Sequence, residues 1–303
     1  MLAGANKKII VFWRDIMSTY FRKKEKCQCC GYEFEIDALG STNSFGSPDL
    51  DLRPAGMQRY TMSHWITECS NCGFVYSGKI TNVDDVKEYI NSENYQTCEN
   101  LSFRTDLAKS FYKHGLICLM SKKFLDAARA FLHAAWVCDD NGEPQLAIVC
   151  RSKSLETFEY VPIGSNNNLK LQKADILRRA LRFDETIDYL SKLRFSDEFL
   201  RKILAFQIKL SKAHDSSCYT VKDAVDAFGD EAELIEVEKI LRYPVRLEVG
   251  CQVTHKHYGK GTIVGAESDL IEIIFSDKQT SREPTTKKFR YPDAFVDGFL
   301  EIL

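Results

Sequence analysis

The chain has 303 residues, 44% of them hydrophobic and 12% aromatic, which is room for two or three domains with real cores. A formal net charge of −2 removes any whole-chain argument for a nucleic-acid or membrane partner. Eleven cysteines, an odd number spread along the whole length, do not describe a disulfide scaffold and fit zinc in a reducing cytoplasm.

Residues 1–16 read as a basic N-terminal extension. Lys7-Lys8 and the apolar run Ile9 to Trp13 resemble the start of a signal peptide. Arg14 and Asp15 end that run after five residues, too few for a signal h-region or a membrane span. Met17 is an alternative start. Arg22, Lys23, Lys24 and Lys26 crowd the approach to Cys27. The expectation is a solvated, mobile tail whose charge offsets a thiolate cluster; the alternative is a contact with phosphate or an acidic partner.

Cys27-Gln28-Cys29-Cys30-Gly31 and Cys69-Ser70-Asn71-Cys72-Gly73 each contain C-x-x-C followed at once by glycine. Two sulfurs at that spacing grip one ion from a tight turn, and a following glycine admits the left-handed backbone that turns N–H groups toward the thiolates. Two such knuckles supply the four thiolates that tetrahedral zinc prefers, so Cys27, Cys30, Cys69 and Cys72 are the expected Zn2+ ligands. Cys29 competes for a place in the first knuckle, and His64, five residues before Cys69, is an alternative ligand. The long stretch between the knuckles points to an elaborated zinc-ribbon-like module over residues 17–82.

Within that stretch Tyr32 to Ile36 alternates as a half-buried strand, and Gly40 to Pro48 reads as a loop. In Asp49-Leu50-Asp51-Leu52-Arg53-Pro54, extended backbone would put Asp49, Asp51 and Arg53 on one side and the leucines on the other. The favoured reading is turn hydrogen bonds and pairing with Arg53; the alternative is acid–base or cation chemistry. Phe74 to Tyr76 leaves the second knuckle as a strand.

Residues 83–245 carry helical periodicity. Asp84-Asp85 starts a helix, and Ser102 to Cys138 resembles a tetratricopeptide (TPR) repeat. Phe111, Gly115, Ala127, Phe131 and Ala134 stand at that motif's packing separations, while Cys118 and Asp139 replace its usual tyrosine and proline. The resemblance implies that Gly115 and Ala127 let two antiparallel helices approach while Phe131 fills the space between them. Leu169 to Leu193 reads as a second unit that turns at Arg178 to Glu185. Gln145 to Tyr160 is a further helix, Gly164 to Asn168 a loop, and Asp197–Leu210 with Val221–Phe228 a last pair. Arg151, Lys153, Arg178, Arg179 and Arg182 are candidates to line a concave face, the plainer reading being a solvated helix surface. Cys98, Cys118, Cys138 and Cys150 fall in helical patterns as small buried hydrophobes.

Tyr243-Pro244 ends the helices, and residues 246–303 read as a small β module. Strands are expected at Val249–His255, Thr262–Gly265, Leu270–Phe275 and Lys287–Arg290. The glycines of Tyr258-Gly259-Lys260-Gly261 are expected to allow positive φ in a turn, Ser276 to Thr286 to form a polar loop, and Pro292 to start a final helix with Phe295, Phe299 and Leu300 on its apolar face. His255 to Ile263, followed by the Ile-Glu-Ile-Ile-Phe strand, resembles the SH3/Tudor-like barrel at the C-terminus of UvrD/PcrA-type helicases, where it is a docking module. No G-x-x-x-x-G-K-[ST] motor motif is present. Acidic residues balance basic ones here, which disfavours a sequence-independent nucleic-acid grip, although Lys256, His257 and Lys260 make a local basic cluster.

Taken together, residues 26 to about 240 resemble a family of functionally uncharacterised bacterial proteins with paired CxxCG knuckles, an Asp-x-Asp-Leu-x-Pro-like segment and TPR-type helices. Cys27, Cys30, Gly31, Asp49, Asp51, Leu52, Pro54, Cys69, Cys72, Gly73 and the Arg178-Arg179…Phe183-Asp184-Glu185 turn carry the resemblance. It implies zinc and a protein-binding architecture, and no reaction. The expected fold is multidomain α+β: zinc-ribbon-like module, TPR-like helical array and small SH3/Tudor-like β-barrel. The expected function is a non-enzymatic, cytoplasmic adaptor with protein partners and no membrane partner. The alternatives are a nucleic-acid-associated factor working through its basic zinc module, and a metal-dependent hydrolase using Asp49, Asp51 or His64. A four-thiolate shell leaves no open position for water, which weighs against the last. With little core of its own, the knuckle module is expected to unfold alone, over about residues 17–80, when Cys69 becomes Ser.

Overall fold

The basic run that leads to Cys27 is a strand. In the computed structural model β1 (Thr19–Lys26) pairs antiparallel with β2 (Glu33–Ser41), and the turn between them holds the first knuckle. The register sets Arg22 opposite Asp37, Lys24 opposite Glu35 and Lys26 opposite Glu33. Opposite charges facing each other across a ribbon stabilise it. The mobile tail expected up to Lys26 is therefore corrected from Thr19 onward, because the acids of β2 supply a partner that the local sequence does not show. The structure describes residues 18–78, 83–228, 247, 249–267, 270–275, 285–291, 293–296 and 298–303. The basic extension 1–16, Met17, Tyr243-Pro244, most of the polar loop from Ser276, and Pro292 lie outside the described residues.

After β2 come α1 (Gly56–Arg59) and a 3-10 turn at Met62–His64; β3 (Thr67–Glu68) and β4 (Val75–Tyr76) then flank the second knuckle as an antiparallel pair. The helices α2 (Val83–Ile90), α3 (Glu93–Gln96), α4 (Asp106–Met120), α5 (Phe124–Asp140), α6 (Pro144–Phe158), α7 (Asn167–Arg179), α8 (Phe183–Ser191), α9 (Glu198–Lys212) and α10 (Val221–Asp226) follow. Their ends carry the expected chemistry. The Thr105 side chain accepts from the Ala108 N–H, the Asn166 side chain from the Leu169 N–H, and Pro144 occupies the first turn of α6. Asn166 thus shortens the loop expected to Asn168.

Three of the turns between helices share one geometry. Lys122, Gly142 and Leu181 have φ of 56°, 67° and 62°. In each the next residue's N–H reaches back to a carbonyl of the final helical turn: Lys123 to Cys118, Glu143 to Cys138 and Arg182 to Leu177. This left-handed cap satisfies carbonyls that the helix end orphans, and two of the three turns take it without glycine.

The chain divides into two compact units, one of Met1–Phe183 with Ala213–Val225, the other of Asp184–Lys212 with Asp226–Leu303. In the first, the knuckles and the helices share a core. Cys27, Cys69, Phe74 and Val75 belong to the same cluster as Val86, Ile90, Leu116 and Phe131. The knuckle module therefore shares its core with the helices, and this argues against its unfolding alone.

At Gly115 the α4–α5 hairpin leaves no room for a side chain. A Cβ there would stand 2.6 Å from Cε1 of Phe131, whose ring is fully buried. Gly115→Ala gains up to about 1 kcal/mol of helix propensity but forces overpacking that costs about 1–3 kcal/mol. A net loss, read as a lower urea midpoint with an unchanged slope, is expected; a stabilised variant would mean that the ring can move aside.

In the second unit β5 (Gln252–His255), β6 (Gly259–Glu267), β7 (Leu270–Phe275), β8 (Thr285–Arg290) and β9 (Leu300–Ile302) form one antiparallel sheet in the order β8-β7-β6-β5-β9. The closed barrel expected from the resemblance is not formed among the described residues. Strand β9 has three residues and, among the described residues, pairs only with β5, while α11 (Asp293–Val296) touches both edge strands and buries Phe295 in the core of the sheet. The expected final helix is also corrected. It closes after Val296 through bonds from the Gly298 N–H to Phe295 O and from the Phe299 N–H to Ala294 O, which leaves Phe299 exposed and Leu300 in a strand. Of the two glycines in the β5–β6 turn, only Gly259 has a positive φ. Gly261 is glycine because a Cβ would meet Ile273 at 2.6 Å. His255 is buried, and its Nδ1 accepts from the N–H groups of His257 and Tyr258, so it closes this turn.

Candidate metal centre

The two knuckles are the same structure built twice. Gly31 N–H donates to Cys27 O at 2.9 Å and Gly73 N–H to Cys69 O at 2.8 Å. Cys27 N–H reaches Tyr32 O at 2.8 Å, and Cys69 N–H reaches Phe74 O at 2.9 Å. Both glycines have positive φ, 76° at Gly31 and 68° at Gly73, as the spacing requires.

Their four sulfurs converge. The Sγ atoms of Cys27, Cys30, Cys69 and Cys72 all lie within 4.8 Å of one another, with 3.7 Å from Cys27 to Cys72 and from Cys30 to Cys69. Thiolates about 2.3 Å from a tetrahedral zinc sit roughly 3.8 Å apart, and a disulfide would need about 2.05 Å. The donor set thus fits one ion of zinc's size and geometry, and not a bonded pair. Burial raises the Cys27 and Cys72 thiols. Cys30 is exposed, and the Asn71 side-chain amide, 3.5 Å from its sulfur, holds it down to about 6. Tyr95 Oη, donating to Gly73 O at 3.3 Å, fixes the second knuckle against α3.

Neither alternative ligand joins the cluster. Cys29 is buried in the shared core, and burial raises its thiol, although it hydrogen-bonds Cys72. His64 bonds Ser63 through Nδ1 at 3.0 Å and packs its ring on Tyr20 at 4.6 Å.

The stretch between the knuckles makes a second polar site. Asp49 to Arg53 is not extended. Asp49 N–H bonds Arg53 O, Leu52 N–H bonds Asp49 O, and Leu52 has a φ of 67°, so Leu50 is buried and Leu52 faces out. The turn hydrogen bonds are as expected, but the carboxylates do not pair with the Arg53 side chain. Asp51, 0% exposed, accepts from Arg179 Nη1 at 3.0 Å and Trp136 Nε1 at 2.7 Å, while its carbonyl accepts from Gln172 Nε2 at 2.7 Å. Arg179 also reaches Asp139 at 2.7 Å, and Asp139 is gripped by both outer nitrogens of Arg151, at 3.1 and 2.5 Å. The Arg53 guanidinium instead takes Asp140, at 2.9 and 2.5 Å. Asp49 takes Arg59 at 2.5 Å and the Cys218 thiol at 3.2 Å. Burial alone would raise the Asp51 carboxyl, but the charges of Arg179 and Arg151 and the Trp136 N–H offset it and hold the carboxyl below the usual range.

For Arg151, Arg178 and Arg179 these pairs correct both the concave-face reading and the plainer reading of a solvated helix surface. Arg151, Arg178 and Arg179 are buried, and a buried guanidinium needs a partner, which this chain supplies itself. Arg178 holds Asp175 together with the carbonyls of Asp215 and Ser217. Lys153 pairs with Glu156, and Arg182 is exposed. Sequence reasoning missed Trp136, Asp139, Asp140 and Gln172. One signal was present: two adjacent acids end α5, where the helix macrodipole disfavours negative charge unless cations cover it.

No protein-family model matches the chain, and neither a curated protein nor a solved structure matches it. No helix among the described residues is long and apolar enough to cross a membrane.

Proposed function

We propose that the chain is a non-enzymatic, zinc-held adaptor that recognises protein partners. The observation that carries this reading is the convergence of four thiols from two matching turns, because a closed four-thiolate shell holds a fold together and offers no position to an attacking water. Cys27, Cys30, Cys69 and Cys72 would hold the ion. In this reading the TPR-like hairpins take one protein segment, the Tudor-like C-terminal sheet docks a second, and both act in the cytoplasm. The carboxylates needed for a hydrolase are already committed, Asp51 to Arg179 and Asp49 to Arg59. The phosphate-binding alternative loses support for a similar reason, since the basic residues of β1 face Asp37, Glu35 and Glu33.

Metal analysis of the purified chain should give one zinc per chain, and none when all four cysteines are serine. Iron, no metal, or metal surviving in that variant refutes the site. Partners captured by the zinc-loaded chain should be lost from the same variant. A zinc-dependent hydrolytic activity would overturn the adaptor reading while leaving the metal site standing.

A further inference from the structure

Beside β4, the α4–α5 hairpin encloses a cavity of about 290 Å³. Phe74, Tyr76 and Phe111 are buried in its floor, and Trp65 forms a wall. Positions three and four apart share a helix face, so α5 presents Asp126, Arg129 and His133 to it in sequence.

The polar groups of this lining fall into two kinds. Some are already used: the His114 ring bonds the backbone of Val75 and lies 3.6 Å from the Cys118 sulfur. Burial pushes the Cys118 thiol up to about 12, so the cavity holds no thiolate, and binding rather than covalent chemistry is the fitting use. Others are unused. The His133 ring is fixed edge-on by Trp65 at 5.1 Å and Phe111 at 5.2 Å, and burial, with His114 and Arg129 nearby, lowers its pKa to about 3. A neutral imidazole has one donor and one acceptor, and neither nitrogen of His133 has a hydrogen-bond partner among the described residues. At the mouth Lys123, Asp126 and Arg129 are exposed, and none of them forms an ion pair among the described residues.

We infer that this cavity binds a small aromatic carboxylate. The ring lies among Trp65, Phe74 and Phe111, a polar atom of the ring meets His133, and the carboxylate is held at the mouth by Arg129 and Lys123. Aromatic walls with a few convergent polar groups are what orient such ligands, and Arg presents the fork that a carboxylate fits. Two sources share this chemistry, an aromatic acid and a free aromatic amino acid. Asp126 is the carboxylate of this lining at the mouth and would pair with an α-ammonium group, so it distinguishes them.

The test is calorimetric titration of the full zinc-loaded chain with L-tryptophan, indole-3-acetate and tryptamine, whose indole N–H can reach His133. At least one of the two carboxylates should bind 1:1 with a Kd below about 1 mM, and tryptamine at least tenfold more weakly. Arg129→Gln, at an exposed position, should weaken the carboxylate tenfold or more with the circular dichroism spectrum unchanged. If Asp126→Asn weakens tryptophan alone, the ligand is an amino acid; if it leaves both unchanged, the ligand is a plain acid. Absence of binding by both carboxylates, tryptamine binding as tightly as they do, or unaltered affinity in Arg129→Gln each overturns the inference.

Discussion

Arg179→Met is expected to destabilise the first unit by about 3–5 kcal/mol, because it strands the Asp51 carboxylate in a site with no exposure. A loss of that size lowers the thermal midpoint of a domain this large by about 6–20 °C. Replacing both partners, Asp51→Asn with Arg179→Met, should recover much of the loss, since the amide keeps an acceptor for Trp136 and no charge remains unpaired. The double-mutant cycle over these residues measures the coupling directly. A single-variant loss under about 1 kcal/mol would show that water reaches Asp51 and that the lock is weak. The pair also sets a pH dependence. The folded pKa of Asp51 lies below its unfolded value, so its contribution is fully present above the ordinary carboxylate pKa of about 4 and is lost as pH falls through the folded pKa. The acid limb of the wild-type stability curve should therefore flatten in Asp51→Asn, measured by urea unfolding at a series of pH values.

Cys69→Ser is expected to remove the metal and to loosen far more than the knuckles. Cys69 is 1% exposed and lies in one cluster with Leu116, Ile117 and Phe131 of the α4–α5 hairpin. Zinc binding is folding energy for the turns that carry its ligands, and here those turns wall the core of the helices. Hydrogen exchange of the variant should show lost protection at β3 and β4 and also along α2 and at the contact faces of α4 and α5. The sheet β5–β9, with its own core of Val253, Ile263, Ile273 and Phe275, should keep its protection. Loss confined to residues 18–78 would restore the picture of a knuckle module that folds by itself.

Much of the candidate centre was legible from the chain alone, because knuckle chemistry is local. Two thiols three positions apart followed by a glycine at positive φ specify a turn without help from the rest of the molecule, and both knuckles have that turn. Helical spacing likewise placed α4, α5, α6 and α7, and the resemblance to a TPR hairpin implied the close approach that leaves Gly115 no room for a side chain against Phe131.

Charge partners could not be read this way, because they depend on segments far apart in sequence. Asp51 and Arg179 meet across 128 positions, and Asp51 and Trp136 across 85. No periodicity links them, so arginines on α7 look like a solvated or ligand-binding stripe until the chain folds an aspartate onto them. The basic run Arg22 to Lys26 reads as a tail until β2 brings three acids into line. Phe299 fits the apolar face of a helix until backbone bonds close α11 after Val296. What the sequence by itself determined is the two cysteine knuckles and the positions of the longer helices, both set by neighbours within a few residues. What only the tertiary structure decided is which charges are spent inside the protein, since a buried guanidinium or carboxylate takes its state from whichever distant partner the fold delivers.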